Sequence, residues 1–296
     1  MPEKFTDRFT IGDALALTPE NVRPRAAGWL HVSCILFSDA KGVSYFPWRR
    51  LAAALELWRS DRRFRQFFFM RKPPGLRLRF YGNELAELLE PELVTWLQAA
   101  EESNDIRGFR FGIYEPETAR FGGPAGMAVA HEQFDRDSRT ASRYEMLGEL
   151  ERRGLPKDLF SLFLINDLCA RSLDDKAEIW DVWQKLGRLV RGSVRTSVVS
   201  ETECNRVRDV VTLEATFTSG LSSSAAALLE QASADNAHVA QRLRALASSG
   251  RLHIGLRSWL ATAAVFHWNR LGLTDVEIGA MTATMNCLLN PDENET

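Results

Sequence analysis

The sequence predicts an α+β fold: a single compact domain with a mostly antiparallel sheet from its N-terminal half and packed helices from its C-terminal half. Two observations lead there. Segments that alternate apolar and polar residues, LRLRFYG (76–82) and RGFRFGIYEPE (107–117), fall in the first 120 positions, and period 2 marks a half-buried strand. Long stretches with helical spacing follow them without regular strand–helix–strand alternation, which favours segregated α+β over a parallel sheet. A chain of 296 residues with 45% apolar content can bury a proper core.

In chain order, residues 1–27 are polar, with Pro19 and Pro24 among scattered charges, and are expected to form an N-terminal arm. GWLHVSCILF (28–37) is rich in aromatic and β-branched residues and predicts a buried strand. A turn is expected over 42–47, then a helix over 48–64 with Leu51, Leu55 and Trp58 on one face. FFFMR (67–71) is a second strand, paired hairpin-fashion with 76–82 around Pro73-Pro74-Gly75. Helices are expected over 84–102, through most of 128–170, and over 174–192, 225–246 and 258–271. Gly272 stands where a helix C′ glycine belongs. Residues 192–211 fit neither pattern.

Composition excludes several classes. With 37 Lys+Arg against 39 Asp+Glu, the net charge of −2 argues against a polyanion-coating protein. No direct nucleic-acid partner is expected. Cys34, Cys169, Cys204 and Cys287 stand far apart, without CxxC spacing, and suit neither a zinc site nor a disulfide framework. They read as reduced, mostly buried thiols. No signal peptide is visible, and apolar runs such as 159–165 are too short to span a bilayer. A cytoplasmic, membrane-free protein is expected. P-loop, post-strand GxGxxG, GxSxG and HExxH motifs are all absent, and His131-Glu132 lacks the second histidine of a zincin. No metal or other cofactor is expected.

Arginine outnumbers lysine 31 to 6. Most of that excess reads as the coding bias of a G+C-rich genome, but some of it falls in three chemically dense segments. In RKPPGLRLRF (71–80), Arg77 and Arg79 share one strand face while Leu76, Leu78 and Phe80 share the other. Guanidinium groups about 7 Å apart on one face repel unless an anion joins them, so the segment is either a solvated sheet face or an anion clamp. In YEPETARFGG (114–123), Pro116 ends regular pairing and Arg120 follows Glu117 at ion-pair spacing, which suits a surface turn or a site. In FHWNRLG (266–272), His267 and Arg270 are neighbours on a helix face. A helical His is commonly structural, yet one kept neutral by an adjacent Arg can act as a general base.

These segments, with GWLHV near the start, resemble the lantibiotic dehydratase C-terminal family, also called the thiopeptide-type bacteriocin biosynthesis domain. The likeness runs from about Gly28 to Leu273, placing one such domain over 28–296. It implies one of two activities. Elimination-type members expel glutamate from Ser or Thr residues that a partner has esterified using glutamyl-tRNA, leaving dehydroalanine or dehydrobutyrine. Pyridine synthases instead join two dehydroalanines in a formal [4+2] cycloaddition, and a non-catalytic peptide-binding scaffold is a third possibility. For elimination the resemblance implies His267, Arg77 and Arg120 as catalytic residues, with Arg79, Glu117, Arg270 and Arg71 binding substrate. Leu76 departs from the pattern, since many members carry His there. The chain is too short for a glutamyl-transfer region, so a stand-alone eliminase is expected. Its partners would be a glutamylated precursor peptide and a separate tRNA-dependent glutamyl transferase, and a homodimer is allowed.

Overall fold

The computed structural model describes residues 28–37, 46–190, 204, 207–208 and 220–291. The expected N-terminal arm, residues 42–45 of the expected turn and most of the 192–211 stretch lie outside them. The architecture is α+β. Strands β1 (Trp29–Ile35), β2 (Gln66–Lys72), β3 (Gly75–Tyr81) and β4 (Gly108–Gly112) form a sheet in the order β2-β3-β1-β4. β1 runs antiparallel to both β3 and β4. The described helices are α1 (Trp48–Ser60), α2 (Leu85–Leu88), α3 (Glu90–Glu102), α4 (Pro124–Met146), α5 (Glu149–Gly154), α6 (Lys157–Ser172), α7 (Lys176–Val190), α8 (Ser223–Ser248), α9 (Leu256–Leu271) and α10 (Asp275–Leu288).

Within this fold the chain groups into two compact units. The first holds Met1–Phe46, Trp58–Arg65 and Lys72–Glu115; the second holds Pro47–Leu57, Gln66–Arg71 and Pro116–Thr296. In the first unit, alternation sorts the sheet residues by face. Val32, Leu78 and Phe80 have no exposed surface, and Cys34 and Leu76 have almost none. On α3, Leu93, Leu97 and Ala100 recur at helical spacing and are fully buried. Each such leucine contributes about 1.5–3 kcal/mol by leaving water. The helix expected over 84–102 is divided at Leu89 because Pro91 sits in the first turn of α3. A proline lacks the N–H that continues an earlier helix but is accommodated at the start of a new one.

The second unit is helical around α6, which is buried on nearly every side from Leu159 to Cys169. Helices α7, α8, α9 and α10 pack against it. Its buried Asp167 accepts hydrogen bonds from Arg171 (2.9 Å), Ser233 (3.0 Å) and Asn236 (2.9 Å), so the carboxylate is compensated inside the core. The long helical stretch expected over 128–170 resolves into α4, α5 and α6, broken near Gly148 and Pro156. Helix α10 has no counterpart in the sequence reading. A capping box supplied its signal: Thr274 accepts from the Glu277 N–H, and the Glu277 side chain accepts from the Thr274 N–H.

Candidate functional site

Strand β2 lies at a sheet edge, and alternate N–H groups along it find side-chain partners on helices of its own unit. The Phe67 N–H donates to Asp135 (2.9 Å), that of Phe69 to Ser138 (3.2 Å) and that of Arg71 to Asn269 (2.8 Å). The period of these bonds is the period of the strand. Asn269 also donates its amide to the Arg71 carbonyl at 2.6 Å, so one side chain replaces a missing strand partner. This explains the asparagine of FHWNRLG. It fixes the strand against α4 and α9 beside His267 and Arg270.

Between those two residues lies Asp137 of α4, which sequence reasoning missed. His267 Nδ1 donates to Asp137 Oδ1 at 2.7 Å, while Arg270 Nε donates to the other carboxylate oxygen. Arg270 Nη2 also donates to Gln133 (3.3 Å), and its guanidinium lies 4.6 Å from the centre of the Phe134 ring. Burial by itself would raise the Asp137 carboxyl, but the charges and hydrogen bonds of His267 and Arg270 overcome it and hold the group far below the usual carboxylate range. Whenever the ring is neutral, an Nδ1–H committed to the carboxylate leaves the lone pair on Nε2. Nε2 is buried and has no hydrogen-bond partner among the described residues.

The other expected site residues divide by unit. In the second unit, Arg71 donates to the Arg270 carbonyl (2.9 Å) and pairs with Glu145 (2.7 Å). Arg71, His267 and Arg270 thus form one connected cluster. Arg270 was expected to bind substrate; it has 0% exposure, and its guanidinium is engaged inside the fold with Asp137 and Gln133. Glu117 stands just before a 3₁₀ turn (Thr118–Phe121) that contains Arg120, and the two pair at 3.1 Å, as their spacing implied, with the Arg120 side chain 70% exposed. Phe121 carries this turn onto α9, where its ring meets Trp259 and Phe266, the latter adjacent to His267. Gly122 and Gly123 both have positive φ, and a Cβ at Gly122 would come within 2.8 Å of Ile254.

In the first unit, Arg77 and Arg79 lie on the sheet face opposite Leu76, Leu78 and Phe80. Arg79 is buried with its guanidinium 4.3 Å from the Tyr114 ring centre, whereas Arg77 is half-buried. Their register partners on β1 are Ser33 and His31, which the sequence reading did not single out. Burial first, then the charges of Arg79, Arg77 and Arg110, lowers the His31 imidazole to about 3. None of the four cysteines is in a disulfide. Cys34 and Cys169 are buried, and burial pushes both thiols up to about 12; Cys287 is exposed. No group of metal-binding side chains occurs among the described residues, and no described helix is long and apolar enough to cross a membrane.

The family described as lantibiotic biosynthesis dehydratase C-term matches residues 48–280. The chain belongs to that family. Its fold is similar to that of the tRNA-dependent lantibiotic dehydratase MibB from Microbispora sp. 107891, with a TM-score of 0.59 and 18% identity over 92% of this chain. The match covers 29% of MibB, so this chain spans less than a third of that protein's length. No curated protein sequence matches the chain.

Proposed function

We propose that the protein is an elimination enzyme of ribosomal peptide biosynthesis that works apart from its glutamylating partner. Its substrate is a precursor peptide with Ser or Thr esterified by glutamate. The observation that carries the reading is the Asp137–His267 pair, in which a carboxylate holds one ring nitrogen and leaves the other uncommitted. Nε2 takes the Cα proton of the esterified residue, the C–H electrons form the Cα=Cβ bond, and the Cβ–O bond breaks. Glutamate leaves as a carboxylate and the proton rests on His267. Arg77 and Arg120 bind the carboxylates of the leaving group, where guanidinium geometry suits them. Arg79 adds positive field, Glu117 orients Arg120, and Arg71 and Arg270 act through the His267 cluster.

His267 is buried, and the cavity it borders holds about 30 Å³, room for a water but not for a peptide residue. Catalysis therefore requires the packing around His267 to open when peptide binds. The test is glutamate release from a synthetic glutamylated peptide. His267→Ala is expected to lower the rate by roughly 10²–10⁴, the usual contribution of a general base. Undiminished release would remove the assignment. Ring formation from a bis-dehydroalanine peptide, with no release of glutamate, would replace it with the pyridine-synthase reading.

A further inference from the structure

The cavity beside His267 lies inside the second unit, where α4, α6, α8 and α9 meet. The residues that line it are buried except Arg136 of α4 and Asn236 of α8, so its path to solvent runs between those two helices. Its other walls are fixed. Helix α6 is buried on nearly every side, and α9 is held by Asn269 on strand β2 and by Arg270 on Asp137. Helix α8 is fastened differently along its two edges. Toward α6, Ser233 and Asn236 donate to the buried Asp167, and Asn236 also donates to the Leu164 carbonyl at 3.0 Å. Toward α4 the ties are ion pairs, Arg136 with Asp235 and, one turn earlier on α4, Glu132 with Arg242. Both members of the first pair line the cavity, and neither member of the second does. The Arg136 side chain is 27% exposed and that of Asp235 10%, whereas that of Asp167 is sealed at 2%. A pair that water can reach parts readily; a sealed carboxylate held by several donors does not.

We propose that the seam between α4 and α8 is the gate to His267. The Arg136–Asp235 pair latches it, and the bonds to Asp167 are its hinge. When the pair parts, the esterified Ser or Thr of the precursor peptide reaches Nε2. That use of the gate rests on the elimination reading, while the gate itself rests on the cavity and the ion pair.

A native thiol reports the opening without any assay of activity. Cys169 lines the same cavity and is 1% exposed; Cys34, in the first unit, is as deeply buried at 2% and serves as the reference. Alkylation of both by iodoacetamide is followed by mass spectrometry on the whole chain, in the wild type, Arg136→Met and Asp235→Asn. Each substitution is expected to accelerate Cys169 roughly tenfold, the scale of one lost charge-assisted bond, because labelling tracks the open population when closing is fast. Cys34 should be unchanged. An unchanged rate at Cys169, or equal acceleration at both thiols, which marks general loosening, overturns the latch. Glutamate release from the glutamylated peptide then tests the route. A larger open population removes the cost of opening from binding, so KM should fall by about the factor by which Cys169 labelling rises. Selective acceleration at Cys169 with KM unchanged or raised overturns the seam as the way to His267. Selective acceleration in a protein whose wild type releases no glutamate keeps the latch and overturns the elimination reading.

Discussion

Two histidines show how neighbours decide what a side chain does. His267 is next to a carboxylate, His31 next to guanidinium groups. Asp137 is the hinge of the first arrangement, because Arg270 is fully buried and its guanidinium pairs with the Asp137 carboxylate. Removing one member of a buried pair leaves the other uncompensated, at a cost of about 3–5 kcal/mol. Asp137→Ala is therefore expected to lose that much stability in urea unfolding. A loss below about 1 kcal/mol would show that Arg270 finds another acceptor. His31 makes a pH prediction. Its pKa is about 3 in the fold and 6.5 unfolded, so above 6.5 both states are neutral and stability is flat. As pH falls below 6.5 the unfolded chain takes up a proton that the folded chain refuses, and stability drops until about 3. The slope from this group approaches 1.4 kcal/mol per pH unit. His31→Gln should flatten the decline in unfolding midpoint between pH 6.5 and pH 4.5, and an identical profile in wild type and variant would refute the assignment.

At the scale of elements, strand β2 depends on side chains of α4 and α9 for alternate backbone partners. Asn269 satisfies both the N–H and the carbonyl of Arg71. Asn269→Ala removes both bonds and is expected to cost about 1–3 kcal/mol. Hydrogen exchange at the Arg71 amide should accelerate more than that of the Phe67 amide, which Asp135 holds; equal acceleration would mean the strand is secured some other way. The same residues mark where local pattern was and was not readable. Alternation in 76–82 identified β3 and the correct face for both arginines, since period 2 is a local property of the backbone. Gly272 at the end of α9 was equally legible: its φ is +68°, and the bonds from its N–H and that of Leu273 close a Schellman turn. Asp137 was not legible. It lies 130 residues from His267, in a helix whose sequence does not mark one buried acid above another.

At the scale of the whole molecule, the chain belongs to a family named for a dehydratase C-terminal region and spans 29% of MibB. Under the proposed function, esterification and elimination are separate events on separate proteins. The unmodified precursor peptide should then yield no dehydroamino acid with this chain alone, while the glutamylated peptide should. That pair of assays forms the control for the His267 experiment, because activity on unmodified peptide would mean the chain needs no supplied ester.

By itself the sequence determined the α+β class, the sheet in the first half, the shared face of Arg77 and Arg79, and the pairing of Glu117 with Arg120. Each is a matter of periodicity or short spacing, which local geometry converts directly into position. Tertiary structure decided that Arg270 is interior, that His267 leans on Asp137, and that His31 and Arg110 stand in register with the arginines of β3. Those outcomes depend on residues far apart in the chain. Burial multiplies the effect of whichever charge the fold brings near, and no local pattern encodes which charge that will be.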